Sequence, residues 1–75
     1  MLTVEFNEQG ECIEIYFDDD GLHALELAIS RLRRRGGHDH LMTPALAGTE
    51  LSEKLQGSGN RLMNHLVLVK VGAWP

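Results

Sequence analysis

Leu2-Thr3-Val4-Glu5-Phe6-Asn7 alternates apolar and polar residues, the period of a half-buried strand. Cys12-Ile13-Glu14-Ile15-Tyr16-Phe17 does the same, with Ile13, Ile15 and Phe17 as its apolar set. Glu8-Gln9-Gly10-Glu11 between them reads as a tight hairpin turn. Setting Leu2, Val4 and Phe6 opposite Phe17, Ile15 and Ile13 requires an even-numbered loop, either Gln9-Gly10 alone or Glu8 to Glu11. The same register places Glu5 opposite Glu14 on the outer face. Two like charges there are mildly unfavourable, and a cation on a neighbouring strand or a partner would relieve them.

From about Gly21 to Arg35 the period changes to that of a helix. Leu22, Leu25, Ile29 and Leu32 recur on one face, with Ala28 beside them and Leu27 off the stripe. Asp18, Asp19 and Asp20 stand where N-cap and first-turn anions belong, and Asp20 is the expected cap. Arg31, Arg33, Arg34 and Arg35 crowd the last two turns, and Gly36-Gly37 supplies the stop. His38 to Thr43 reads as a short third strand ended by Pro44. Residues 44–60 hold no strong element, although Thr49 to Leu55 suits one or two helical turns capped by Thr49. A connection this long in a compact domain is often functional or mobile. Arg61 to Val71 is the last strand, with Val67, Val69 and Val71 on one face and Leu66 and Leu68 on the other. A strand apolar on both sides is normally covered on both. One helix covers only one side, so the long loop or a second molecule is expected on the other. Trp74 closes the chain, either docked on the body or frayed.

The predicted fold is therefore α+β: a single small domain, 1–75, of ββαββ order. It is a four-stranded, mostly antiparallel sheet with one helix packed on one face. A chain of 75 residues has a thin core. The formal net charge of −4 disfavours nucleic acid and suits a basic protein partner. The single cysteine excludes an internal disulfide framework, and Cys12, in a strand, is expected to be buried and inert. With no cationic-then-apolar leader and no apolar run longer than Leu66–Val69, the expectation is a cytoplasmic protein without a membrane span.

Three constellations suggest chemistry. His38 and His40 share a strand face and can reach one metal ion; His65 would be a third ligand, and Cys12 or a carboxylate a fourth. Without a fixed third ligand the spacing is a weak motif, and no metal or cofactor is expected. The three aspartates lack the alternating pattern of a calcium loop and are explained by capping. The four arginines suit either an acidic partner or the helix dipole, and the dipole suffices. No nucleophile elbow, phosphate loop or Cys-x-x-Cys is present, so no enzyme is expected.

The words His38-Asp39-His40-Leu41-Met42-Thr43-Pro44, Gly48, Glu50-Leu51-Ser52, Gln56-Gly57 and Asn64-His65-Leu66 resemble the bacterial immunity protein family 32, which accompanies polymorphic toxins. The likeness runs from about Phe17 to Val71. It departs at Leu46-Ala47-Gly48, where a Trp and paired glycines are expected. The resemblance implies a small α+β protein that binds and silences a cognate protein toxin without catalysis. Exposed acids, with Glu50, Glu53, Asp18 and Asp19 as the candidate partner-binding set alongside Glu8 and Glu11, would then mimic a polyanionic substrate. Two other readings stand beside it: a homodimeric module whose second sheet face pairs with itself, and a small metal-binding protein using His38, His40 and His65.

Overall fold

The computed structural model describes residues 1–72. Strands β1 (Leu2–Asn7) and β2 (Cys12–Phe17) form the expected hairpin, in the expected register from Leu2↔Phe17 to Asn7↔Cys12. The longer loop is the one used. The Gly10 N–H donates to Asn7 Oδ1 at 3.0 Å and the Glu11 N–H to the Glu8 carbonyl at 3.2 Å.

Helix α1 runs from Asp19 to Arg35. Its cap is Asp18, not Asp20. The hairpin decides this, because the Asp18 N–H donates to the Met1 carbonyl at 3.2 Å and so continues the β1–β2 ladder. Held in extended conformation, Asp18 accepts the Gly21 N–H at 2.9 Å and pairs with the amino terminus. At the other end Gly36 has φ 71° and returns its N–H to the Leu32 carbonyl.

The buried stripe of α1 is Gly21, Ala28 and Leu32, with Leu25 partly covered; Leu22 and Ile29 are exposed. Close approach explains the rotation away from the predicted stripe. A β-carbon on Gly21 would stand 1.7 Å from the Met1 carbonyl oxygen, so only glycine lets the helix start against β1. Gly21 and Ala28 therefore face the sheet together with Leu32, and Leu22 and Ile29 fall to the flank.

The single four-stranded sheet is not formed. Strand β3 (His38–Met42) pairs antiparallel with β5 (His65–Val69), while β4 (Arg61–Met63) pairs antiparallel with β1. The result is a three-stranded sheet, β2-β1-β4, and a two-stranded sheet, β3-β5. The predicted last strand is interrupted at Asn64. There the buried Thr43 donates its N–H to the Asn64 carbonyl (3.0 Å) and its hydroxyl to Asn64 Oδ1 (2.8 Å).

The long connection joins the two sheets. Leu51 N–H donates to the Met42 carbonyl, and Ser52 N–H to the Leu2 carbonyl. Leu51 is buried with Leu2, Val4, Ala28 and Leu41, and Met63, Leu66 and Leu68 pack against this cluster. The predicted helical turns at 49–55 are absent; a 3-10 turn at Pro44–Leu46 stands earlier, closed by Ala47 at φ 64°. Val67 and Val69 remain exposed, so nothing among the described residues covers the second face of β5. Trp74 lies outside the described residues. No helix among those described is long and apolar enough to cross a membrane.

Candidate functional site

Glu5 is the residue around which the irregular segment is built. Alternation along β1 sends Leu2 and Val4 to the helix side and Thr3 and Glu5 to the other. That outer face is not solvent: Thr3 and Glu5 are both fully buried. The chain from Gln56 to Asn60 lies over them. Glu5 Oε1 accepts the Gly57 N–H and the Asn60 side-chain amide, each at 2.9 Å. Oε2 accepts the Thr3 hydroxyl at 2.7 Å and the Gln56 N–H at 2.9 Å. Burial alone raises a carboxyl's pKa. Here the donors of Asn60, Gln56, Thr3 and Gly57 outweigh burial and bring Glu5 down to about 2.

The Glu5–Glu14 pairing is relieved by a neutral amide instead of a cation. Asn60 Nδ2 donates to Glu5 and also to Glu14 Oε1, at 2.8 Å. The Tyr16 hydroxyl donates to the same Glu14 oxygen at 2.8 Å, and Asn7 Nδ2 reaches Oε2 at 3.3 Å. Those bonds, Tyr16 first and Asn60 second, hold the Glu14 carboxyl below the usual range; the bond to Glu14 raises the Tyr16 phenol. Gly57 leaves room for this arrangement, because any side chain there would displace Asn60 and Tyr16 from the carboxylates. A β-carbon there would meet Asn60 Nδ2 at 2.1 Å and the Tyr16 hydroxyl at 2.7 Å. Sequence reasoning flagged the opposed glutamates but missed Asn60, since nothing in its local pattern marks an amide that reaches strands about 50 residues away.

The segment so held presents Glu53, Lys54, Leu55, Gln56 and Ser58 to solvent. Two bonds fix its middle: Lys54 N–H to Ser52 Oγ and Gln56 Nε2 to the Lys54 carbonyl. The four acids singled out from sequence divide by role. Asp18 caps α1, and Glu50 accepts the Met42 N–H at 3.1 Å. The amino terminus first, then the Gly21 N–H, lowers the Asp18 carboxyl. The side chains of Asp19 and Glu53 make no hydrogen bond or ion pair among the described residues.

The three candidate histidines do come together. The register puts His38, His40 and His65 on one face of the β3-β5 sheet with Val67 and Val69. His40 and His65 stack with centroids 4.9 Å apart, and His38 meets His40 edge-on. His40 Nδ1 and His65 Nε2 lie 2.7 Å apart, a hydrogen bond in which one nitrogen must be bare. Two nitrogens bound tetrahedrally to zinc, each at about 2.0–2.1 Å, stand farther apart than that. No group of three such ligands among the described residues is arranged to hold a metal ion. Cys12, expected buried, is exposed on β2, in the other sheet.

No family model, no curated protein and no solved structure matches the chain. Two of the helix-end arginines, Arg31 and Arg35, have structural work. Arg31 grips Asp39 of β3 through Nε (3.0 Å) and Nη2 (2.9 Å), and Arg35 reaches the His38 carbonyl. Lys70 in turn reaches the Arg33 carbonyl at the helix end.

Proposed function

We propose that the protein is a non-catalytic binding protein that neutralises a protein partner by direct contact, as its resemblance to immunity protein family 32 implies. The observation that carries this reading is the segment from Ser52 to Asn60, irregular yet fixed by the three hydrogen bonds it makes to buried Glu5. A loop already held in its final shape loses little conformational freedom when a partner docks. Its exposed tip offers Glu53 and Leu55, an acid beside an apolar side chain. The partner that suits an acidic protein of this kind is basic near the blocked site, as a toxin acting on nucleic acid would be. Leu46, Ala47 and Gly48 stand where the resemblance implies a Trp and paired glycines, so that part of the contact is expected to be weaker.

The first test is whether a toxin gene lies beside the gene for this chain; its absence counts against the proposal, and its product is the probe. Co-expression with the protein should restore growth to cells producing that toxin. The Glu53 side chain has no hydrogen-bond or ion-pair partner among the described residues, so Glu53→Lys should slow association several-fold at low salt and converge with wild type at high salt. Glu50 is the poorer probe, because its loss also frees the Met42 N–H. No rescue of growth, or an association rate indifferent to Glu53 at low salt, would reject the proposal.

A further inference from the structure

Strand β2 is an edge, and its apolar set is uncovered: Ile13 is 56% exposed, Ile15 38% and Phe17 48%. The flank of α1 that carries Arg31 and Arg35 turns toward Asp39 on β3. The opposite flank, with Leu22 and Ile29, therefore turns away from β3, and both residues are exposed. Apolar surface thus borders an open strand edge on the helix side of the sheet.

Hydrogen-bond parity says which groups that edge offers. The Asp18 N–H to Met1 carbonyl bond makes Met1 and Asp18 a bonded pair of the β1–β2 ladder. Alternation then makes Thr3↔Tyr16, Glu5↔Glu14 and Asn7↔Cys12 bonded pairs as well. Ile13, Ile15 and Phe17 are consequently the residues whose N–H and C=O groups point outward.

We infer that β2 pairs antiparallel with β2 of a second copy, about a two-fold axis at Ile15, making one continuous six-stranded sheet. The register is selected, not assumed. A two-fold perpendicular to the sheet keeps each face on its own side, so only pairings between residues of like parity are open. Centring on Glu14 would set Glu14 against itself, and centring on Tyr16 would set Glu14 against Asp18. Both juxtapose carboxylates. Centring on Ile15 sets Ile15 against Ile15, Ile13 against Phe17 and Glu14 against Tyr16. All three outward residues then become bonded pairs, giving about six backbone hydrogen bonds across the junction. On the flank of α1 turned to that side, Glu26 and Arg33 bracket Ile29 and Ser30 around a shallow concavity. A two-fold reverses their order, so approach of the two helices brings unlike charges together. This surface is separate from the Glu53 loop, and the inference stands or falls independently of the partner proposed above.

The experiment is sedimentation over a dilution series of the full chain, with cross-linking as a second readout. Wild type should form a concentration-dependent dimer. Ile15→Lys should be monomeric while keeping its circular dichroism. In a Cys12→Ser background, Ile15→Cys should cross-link with itself on mild oxidation, since paired α-carbons about 5.5 Å apart lie within disulfide reach. Val69→Cys, on the open face of β5, should not. A wild type that stays monomeric throughout, or a folded Ile15→Lys that still dimerises, overturns the inference. So does cross-linking at residue 69 in place of 15. Should Ile15→Lys not fold, absence of the Ile15→Cys cross-link decides against it.

Discussion

A buried carboxylate is costly unless every oxygen is satisfied, and Glu5 has two donors on each. Replacing it with Ala strands the Gln56 and Gly57 N–H groups; thermal unfolding of Glu5→Ala should show a loss of about 2–4 kcal/mol. The pH dependence has a definite sign. The folded pKa of about 2 lies below the unfolded value of 4.5. The stability Glu5 confers is therefore complete above pH 4.5 and is lost as pH falls from there toward 2. Glu14 and Asp18, also lowered, act in the same direction. Melting temperature should fall across that window, and Glu5→Gln should flatten the fall. Asn60→Asp should reverse it. A third carboxylate beside Glu5 and Glu14 raises folded-state pKa values, so that variant should be destabilised at pH 7 and gain melting temperature on mild acidification.

At the scale of elements, glycine substitutions separate propensity from packing. Gly21→Ala should help an isolated helix by up to about 1 kcal/mol. Here the new methyl meets the Met1 carbonyl at 1.7 Å, and overpacking of this kind costs about 1–3 kcal/mol. The packing effect should win, seen as a lowered midpoint in urea. The converse holds at Ala47, which sits at φ 64° and is exposed; Ala47→Gly should raise the midpoint slightly. What the pattern of residues revealed, and what it hid, divides along the same line. The hairpin register was legible because alternation and loop parity are local facts. The helix and its arginine-rich end were legible from period and dipole. The cap at Asp18 was not, since it depends on Met1 across the hairpin. Nor were the carboxylate-bound loop and the break at Asn64, which depend on Asn60 and Thr43 meeting distant strands.

Taken whole, the molecule has one helix against two sheets, and its apolar surface exceeds what that helix can hide. Ile13, Ile15 and Phe17 on one side and Val67 and Val69 on another stay open. The histidine face borders the second of these. Its 2.7 Å ring contact leaves no gap for an ion, so added zinc should leave the melting temperature unchanged. The joint at Asn64 has a further result. A single run of chain serves both sheets, with Thr43 clasping the bend and Leu51–Ser52 bridging the gap. Neither sheet owns its strand outright, so neither can melt while the other persists. Amide protons of Val4 and of Leu66, in different sheets, should exchange with deuterium through one shared opening and at one common free energy.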